Sequence, residues 1–275
     1  MTTPPVVLSV AGYDPSSGAG ITADVKTAAA LGCYAATCAT ALTVQSTQGV
    51  FGVHVLEPEL VMRTLNTLAD DLDIAAVRIG MLGSGAVAGA VHGFLASRLL
   101  PNIVLDPVLR SSSGAALLDD IGLEMLRGML PLCDVVTPNI DEASQLAACE
   151  PLPPQANWEQ ALPWMRNTAA RLHDMGARAV IITGGHLDPA NDYLSTKGSS
   201  PLRAEGIEGE RLESRSTHGT GCAFAAALAC RLALGDGLPQ AARAAKQYVG
   251  NAIASAYPLG KGAGPINHFA RQPIG

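Results

Sequence analysis

Residues 102–147, NIVLDPVLRSSSGAALLDDIGLEMLRGMLPLCDVVTPNIDEASQLA, alternate twice between a short apolar run and a longer amphipathic segment. The runs Asn102 to Asp106 and Asp134 to Thr137 have the length and composition of buried strands. The segments Asp119 to Leu130 and Ile140 to Ala147 are typical of helices. A strand followed by a crossover helix is the repeating unit of a mostly parallel sheet flanked by helices, so this region predicts an α/β fold.

The same alternation continues on both sides of this region. Further strands are predicted at Val6 to Ala11, Ala35 to Leu42, Ala76 to Gly80 and Ala177 to Thr183, and further helices at Gly20 to Leu31, Glu57 to Leu72, Gly85 to Leu99 and Trp158 to Met175. Residues 191–215 alternate as in an antiparallel hairpin, and helical stretches at 219–234 and 238–256 follow. The Pro-rich stretch Pro151 to Pro154 lies inside the alternation, so we interpret it as a surface loop and predict one domain over residues 1–275.

The composition excludes several classes of protein. Of 275 residues, 48% are hydrophobic and 15% charged, and the formal net charge is -6. The cationic side chains are scattered without a basic cluster, which argues against a nucleic-acid partner. No segment offers the roughly 18 uninterrupted apolar residues of a membrane span, and no basic leader precedes an apolar stretch. We therefore expect a soluble, cytoplasmic protein without a membrane partner.

Cysteine, histidine and glycine patterns exclude further sites. The six Cys form no C-x-x-C pair, so we expect reduced thiols, five of them structural. The six His are dispersed, which disfavours zinc. No G-x-x-x-x-G-K-[ST] phosphate loop is present, and AGYDPSSGAG at residues 11–20 lacks the spacing of the dinucleotide fingerprint. Walker-type and Rossmann-type nucleotide sites are both disfavoured.

Small and polar residues follow the predicted strands where each strand ends. They are Gly12 with Asp14, Gln45, Met81, Asp106, Asn139 with Glu142, and Gly184 with Gly185. In open α/β sheets, ligands bind outside the carboxyl ends of the strands, where helix N-termini also converge. The sequence therefore predicts the functional site at this edge, whatever its chemistry.

The segment Thr217 to Cys222, THGTGC, opens a strongly helical stretch. Its glycines leave backbone N–H groups free at a helix start, with the positive end of the helix dipole behind them, which favours an anion site. An ordinary tight turn into a helix is the alternative. Cys222 is either a base or nucleophile with a lowered pKa, as at other helix starts, or a small buried apolar residue.

Three oxygen-bearing side chains mark the next candidate site. Asp106 ends a predicted strand, and Asn139 and Glu142 lie three residues apart on one face of a predicted helix start. Such ligands suit a Mg2+ ion that keeps several waters and bridges phosphates. Asn139 is alternatively a helix N-cap with Glu142 as its capping partner, and the two roles are compatible.

The motifs together resemble those of the hydroxymethylpyrimidine and phosphomethylpyrimidine kinases, within the ribokinase-like superfamily. The resemblance spans nearly the whole chain. It rests on AGYDPSSGAGITADVKT at 11–27, ALTVQSTQGV at 41–50, RIGML at 78–82, VLDPV at 104–108, TPNIDEA at 137–143, TGGHL at 183–187, STHGTGC at 216–222 and GKGAGPINHF at 260–269.

The resemblance implies a ribokinase-like three-layer fold and an ATP- and Mg2+-dependent kinase. It would phosphorylate the alcohol of 4-amino-5-hydroxymethyl-2-methylpyrimidine and then the resulting monophosphate, in thiamine biosynthesis, as a homodimer. The resemblance assigns these residues: for catalysis Gly219, Thr220, Gly221 and Cys222; for the pyrimidine Gln45, Gly12, Asp24, Met81 and Val108; for the nucleotide Asn139, Thr183, Gly185 and Lys246; for the metal Asp106 and Glu142.

Two positions depart from the family pattern. The family usually has lysine where this chain has Thr183, so a cation expected near the phosphates is missing, and Ser17 stands where glycine is common. For Gln45 the alternative is a polar loop residue bonded to backbone, and for Lys246 a solvated helix face. The alternative functions are a kinase of pyridoxal or a related hydroxymethyl heteroaromatic, and a non-catalytic ligand-binding relative.

Overall fold

A nine-stranded sheet forms the centre of the protein in the computed structural model, which describes residues 3–111, 113–198, 204–212 and 214–270. The strands are β1 Val6–Tyr13, β2 Tyr34–Ser46, β3 Gly49–Val55, β4 Ile74–Ile79, β5 Ile103–Leu105, β6 Val135–Val136, β7 Ala179–Ile182, β8 Asp192–Thr196 and β9 Ala204–Ile207. Across the sheet they follow the order β3-β2-β1-β4-β5-β6-β7-β8-β9.

Helices cover both faces of this sheet. They are α1 Gly20–Ala30, α2 Pro58–Asp71, α3 Gly85–Ala96, α4 Asp120–Met129, α5 Ile140–Leu146, α6 Trp158–Asp174, α7 Thr220–Ala233 and α8 Leu238–Ala254, with a short 3-10 helix at Leu130–Leu132. Helices α2 to α6 share one apolar core with Leu8 and Val10 of β1, and α1, α7 and α8 share a second core with Val7. Alternate residues of one strand thus serve two cores. The prediction of a three-layer α/β fold is confirmed.

The strand directions agree with the sequence prediction in the middle of the sheet and at one edge. Strands β2, β1, β4, β5, β6 and β7 are mutually parallel. The predicted hairpin within 191–215 is present as antiparallel β8 and β9, although residues 199–203 and 213 lie outside the described residues. The Pro151 to Pro154 stretch lies in the loop between α5 and α6, as expected.

The other edge of the sheet differs from the sequence prediction. Strand β2 continues to Ser46, four residues beyond the predicted end at Leu42, and pairs with an unpredicted antiparallel strand, β3. Its sequence, GVFGVHV, contains three Val and one Phe, so strand propensity was available as a signal. Two glycines interrupt the run, however, and none of its residues is fully buried, so no buried alternating face marked it. This hairpin carries Gln45 beyond the parallel part of the sheet.

None of the helices in the described residues is long and apolar enough to cross a membrane.

Candidate active site

The carboxyl ends of the parallel strands border a cleft of about 2160 Å3. The cleft brings together residues that the sequence analysis had assigned to catalysis, substrate, nucleotide and metal. Those that line it are Gly12, Gln45, Met81, Val108, Asp106, Asn139, Glu142, Thr183, Gly185, Gly219, Thr220, Gly221, Cys222 and Lys246. Asp24 does not line it.

The turn before α7 has the geometry of an anion site. Two observations explain the glycine at position 219, the N-cap of α7. Its φ of 80° lies in the left-handed region, and a Cβ there would lie 1.9 Å from the Gly18 carbonyl oxygen. No side chain among the described residues caps this helix. A Cβ on Gly221 would meet nothing within 4 Å, so this glycine faces open space in the cleft. Uncapped N–H groups at a helix start attract anions such as phosphate.

A loop from the end of β1 packs against this turn. The Asp14 carboxylate accepts hydrogen bonds from the backbone N–H groups of Ser16, Gly18 and Ala19. The ring of His218 fits against Gly18, where a Cβ would lie 2.3 Å from the ring's Cδ2. Ser17 has φ of 60°, a conformation that costs a non-glycine residue about 1 kcal/mol.

Gln45 lies at a β-bulge on the rim of the cleft. Gln45 pairs with Val50, whereas its neighbour Val44 pairs with Gly52, so Phe51 has no partner on β2. The Gln45 amide contacts Thr43 Oγ1 at 3.1 Å and His218 Nε2 at 3.0 Å. Each end of the amide thus has one partner, which leaves one lone pair on its oxygen and one hydrogen on its nitrogen for a ligand.

An apolar wall stands beside Gln45. Met81 packs with Ala41, Leu117 and Val108. A Cβ at Gly12 would lie 2.8 Å from Met81 Sδ, so glycine here permits the close approach of β1 to this wall. A flat heteroaromatic ring fits an apolar wall that carries a few convergent polar groups.

A fully buried arginine that the sequence analysis did not single out lies beneath the cleft. Arg78, on β4, is 0% exposed and forms ion pairs with Asp24 and Asp106. A Cβ on Gly80 would lie 2.1 Å from Arg78 Nη1, so this glycine makes room for the guanidinium. A charge within the apolar run AAVRIGM was the available signal, because arginine is almost never fully buried unless it is paired.

Asp24 lies beside Arg78 beneath the cleft, and not in the pyrimidine pocket where the resemblance placed it. Its carboxylate accepts hydrogen bonds from Ser9 and Arg78 and is buried. Burial raises the pKa of Asp24 to about 6, although Arg78 opposes the rise. Asp24 therefore acts through Arg78 on the floor of the cleft and has no surface for a substrate.

The pKa of the Cys222 thiol is raised, whereas a thiol at a helix start is expected to have a lowered pKa. Burial raises the pKa of its thiol to about 11, and the carboxylates of Asp106 and Asp24 add to the rise, whereas Arg78 opposes it. This direction is opposite to the lowered pKa that the helix start suggested, and the role of Cys222 as a base stays a prediction. The helix dipole cannot offset desolvation beside two acidic groups.

Asn139 and Glu142 form a complete capping box at the start of α5. Asn139 Oδ1 accepts from the N–H of Glu142, and Glu142 Oε2 accepts from the N–H of Asn139, each at 2.9 Å. Burial raises the pKa of Glu142 to about 8, and the nearby Asp106 adds to the rise. A cation would relieve the repulsion between the carboxylates of Glu142 and Asp106, so these two side chains fit a metal ion.

The described residues contain no group of three or more His, Cys, Asp or Glu side chains arranged to hold a metal by themselves. A Mg2+ ion at Asp106 and Glu142 would therefore take its remaining ligands from water and phosphate oxygens, as this ion commonly does.

Lys246 and Thr183 lie at the other end of the cleft. Lys246 Nζ donates to Asp192 Oδ1 at 2.7 Å and is only partly exposed, so the alternative of a freely solvated lysine is wrong. Asp192 Oδ1 also accepts from the N–H of Gly184 at 2.9 Å. Thr183 pairs with Asn139 across a parallel bridge, which places its backbone beside the start of α5.

Comparisons with known proteins agree on one family. The family model described as phosphomethylpyrimidine kinase matches residues 14–267. The hydroxymethylpyrimidine/phosphomethylpyrimidine kinase of Streptomyces coelicolor is 43% identical over 269 residues, which are 97% of this chain and 95% of that protein. The protein of the same name from Haemophilus influenzae is 37% identical over 269 residues, covering 96% of each chain.

Solved structures share the fold. A pyridoxal kinase of Bacillus subtilis, solved as an ADP complex, superposes with a TM-score of 0.85 and 31% identity over 98% of both chains. A phosphomethylpyrimidine kinase of Clostridium difficile superposes with a TM-score of 0.75 and 31% identity, over 89% of this chain and 97% of that one.

Proposed function

The chain belongs to the phosphomethylpyrimidine kinase family, and we propose that it transfers a phosphoryl group from ATP to 4-amino-5-hydroxymethyl-2-methylpyrimidine and then to the resulting monophosphate. One kinase domain over residues 1–275 would carry both steps. The observation that carries the proposal is a single cleft that holds a side-chain amide and an apolar wall beside a helix-start anion turn.

The pyrimidine lies between Gln45 and the wall of Met81 and Val108 in this proposal. An aminopyrimidine presents a donor and an acceptor side by side, and an amide offers the complementary acceptor and donor. Gly12 allows Met81 Sδ to pack closely against β1, which sets the position of this wall. The hydroxymethyl group then points toward the turn at 219–222.

Phosphoryl transfer requires mainly alignment and neutralisation of charge on the transferred group. The backbone N–H groups of Gly219, Thr220, Gly221 and Cys222 would hold the transferred phosphate. Bound Mg2+ at Asp106 and Glu142 would neutralise charge on the phosphates. Arg78 holds Asp106 from below, which orients that carboxylate toward the cleft. Asn139, Thr183, Gly185 and Lys246 would contact the nucleotide.

Cys222 stands where a base would accept the proton of the substrate alcohol. The oxygen of the alcohol forms a bond to the γ-phosphorus as the bond to ADP breaks. The alcohol's proton passes to the thiolate form of Cys222, which becomes the neutral thiol and afterwards returns the proton to solvent. Because burial raises the pKa of this thiol, little thiolate is present in the free protein at neutral pH. Late proton transfer in a loose transition state tolerates such a base.

A kinase assay with purified protein, ATP and Mg2+ tests the proposal. The aminopyrimidine alcohol and its monophosphate are expected to be phosphorylated, with the highest kcat/KM in a panel that includes pyridoxal and pyridoxine. A higher kcat/KM for pyridoxal would instead support the related heteroaromatic kinase. ATP binding without turnover of any alcohol would support a non-catalytic relative.

The expected homodimer has a candidate surface on the β2–β3 hairpin. Leu42, Val44, Phe51 and Val53 are all exposed on these two strands. Leu42 and Val44 share one face of the hairpin, whereas Val53 pairs with Thr43 and lies on the other face. Exposed apolar side chains on an edge hairpin suit association with a second copy. Light scattering on the purified protein determines the oligomeric state.

The Gln45→Ala variant is expected to bind the pyrimidine alcohol more weakly by about 1–3 kcal/mol, because the ring's polar groups lose their partners. Binding of ATP is expected to change little. Calorimetric titration of each ligand measures both effects. Equal losses for the two ligands would mean that Gln45 supports the hairpin and does not contact the ring.

The Thr183→Lys variant restores the lysine usual in the family. It is expected to speed phosphorylation of the monophosphate by up to about fivefold, the size of one partly exposed charge interaction. The first phosphorylation, whose acceptor is neutral, is expected to gain less. Separate progress curves for the two steps measure the difference, and equal gains would show that another cation already serves this role.

A further inference from the structure

His218 lies where three parts of the cleft meet, and the reaction outlined above does not use it. Its Nε2 is 2.9 Å from Asp14 Oδ2 and 3.0 Å from the amide of Gln45. Its backbone N–H donates to the Gly264 carbonyl at 3.1 Å, and its chain neighbour Gly219 begins the anion turn. Only 11% of its side chain is exposed, so the ring has a fixed position.

The contact with Asp14 determines that Nε2 of the His218 ring carries a hydrogen. Asp14 Oδ2 already accepts from the N–H groups of Gly18 and Ala19, at 3.1 and 2.9 Å. Burial alone raises the pKa of Asp14, but hydrogen bonds from His218 and Ser16 outweigh it, and the net pKa is below the usual value. An ionised carboxylate only accepts hydrogen bonds, so the Nε2 that faces it carries a proton.

That proton determines the orientation of the Gln45 amide. The two ends of an amide have nearly the same shape, so the surrounding donors and acceptors decide which end is oxygen. With nitrogen toward His218, two donors would face each other. Thr43 Oγ1 would also have to donate its one hydrogen to both Gln45 Oε1 and the Tyr13 carbonyl, at 3.1 and 3.0 Å.

The reverse orientation satisfies every group. His218 Nε2–H then donates to Asp14 and Gln45 Oε1 in a three-centre bond. The Gln45 NH2 group donates to Thr43 Oγ1, which donates its own hydrogen to Tyr13. One lone pair of Gln45 Oε1 and one hydrogen of Gln45 Nε2 remain for a ligand. The acceptor, Oε1, is on the side of His218 and the anion turn.

We propose that His218 is a positioning residue that fixes the polarity of the Gln45 amide and thereby selects rings with a hydrogen-bond donor beside the reacting hydroxymethyl group. The inference rests on the proposed function and deepens it. In the aminopyrimidine, the amine is on the carbon next to the hydroxymethyl-bearing carbon, and the ring nitrogen is one atom farther away. The amine of the pyrimidine therefore donates to Gln45 Oε1, and the ring nitrogen accepts from Gln45 Nε2.

Two ring types have the wrong polarity for this arrangement. The 4-oxo analogue, 5-hydroxymethyl-2-methylpyrimidin-4-one, carries an acceptor beside the hydroxymethyl group and an N–H donor beyond it, the reverse order. Pyridoxal carries an aldehyde, also an acceptor, at the adjacent carbon. Both would set an acceptor against Gln45 Oε1. A site built to bond one group discriminates strongly against an analogue that lacks it.

The 4-amino and 4-oxo alcohols, compared as competing substrates, test the proposal in three proteins. Wild type is expected to prefer the amino form in kcat/KM by about 10²-fold or more. His218→Phe keeps a ring against Gly18 but removes the N–H donor, so the Gln45 amide can rotate to its other orientation. The preference for the amino form is then expected to fall by about tenfold or more. His92, which is partly buried on α3 and does not line the cleft, supplies the matched control His92→Phe, which is expected to keep the wild-type ratio.

Each other outcome is decisive. An unchanged amino-to-oxo ratio in folded His218→Phe, with both rates lowered together, means that His218 only supports the loop and overturns the proposal. Equal use of both alcohols by wild type also overturns it while leaving the kinase function intact. Absence of turnover of the amino alcohol by wild type would instead contradict the proposed function.

A second measurement needs no variant. In long-range proton–nitrogen NMR spectra of 15N-histidine-labelled wild type, the His218 Nε2 signal is expected to have the shift of a protonated nitrogen. An unprotonated Nε2 would overturn the proposal even if His218→Phe failed to fold.

Discussion

Gly221→Val is expected to fold normally and to lose at least about 10²–10³-fold in kcat/KM, the cost of removing one donor to a transferred or developing anion. The added Cβ meets nothing within 4 Å, so the fold has room for it. The two methyl groups would extend into the cleft where the phosphate must approach the N–H groups of the turn. Steady-state kinetics with a thermal melt of the same sample measure both expectations.

Two other glycines provide the comparisons. Gly219→Ala is expected to destabilise the protein, because its Cβ would lie 1.9 Å from Gly18 O and φ is 80°. Gly237→Val, at the exposed N-cap of α8 and with open space around the new Cβ, is expected to keep both activity and stability. Wild-type kcat/KM in folded Gly221→Val would remove this turn from the mechanism.

Cys222→Ala is expected to lower kcat by about 10²–10⁴-fold with little change in KM, because general bases contribute that much. The pKa of the thiol is raised by burial to about 11, so the ionised fraction grows as pH rises toward that value. Wild-type kcat is therefore expected to increase from pH 7 to pH 10, and this increase is expected to be absent from the alanine variant.

A serine variant and a second cysteine complete this test. Cys149, which is partly buried and contacts Thr168 outside the cleft, supplies the control Cys149→Ala, and its pH profile is expected to match wild type. Nearly full activity in Cys222→Ser, with a flat pH profile in wild type, would mean that the thiol only packs at the start of α7.

The order of strands and helices was predictable because each element has a hydrophobic period of its own. Short aliphatic runs such as Ile103 to Leu105 are buried on both faces, as parallel strands between two helical layers usually are. The capping box of Asn139 and Glu142 was equally readable, since both partners lie within one helical turn. Strand β3 was not predicted, because glycines interrupt its apolar run and none of its residues is fully buried.

The sequence by itself determined the α/β fold, the kinase family and which residues meet at the carboxyl edge of the sheet, because these follow from local periodicity and from ordered motifs. Only the tertiary structure decided the charge states and orientations within the cleft. It paired Arg78 with Asp24 and Asp106 below the floor, raised the pKa of Cys222, and set His218 between Asp14 and Gln45. Desolvation and hydrogen-bond polarity depend on neighbours distant in the chain, such as Asp14 and His218, and no local pattern encodes them.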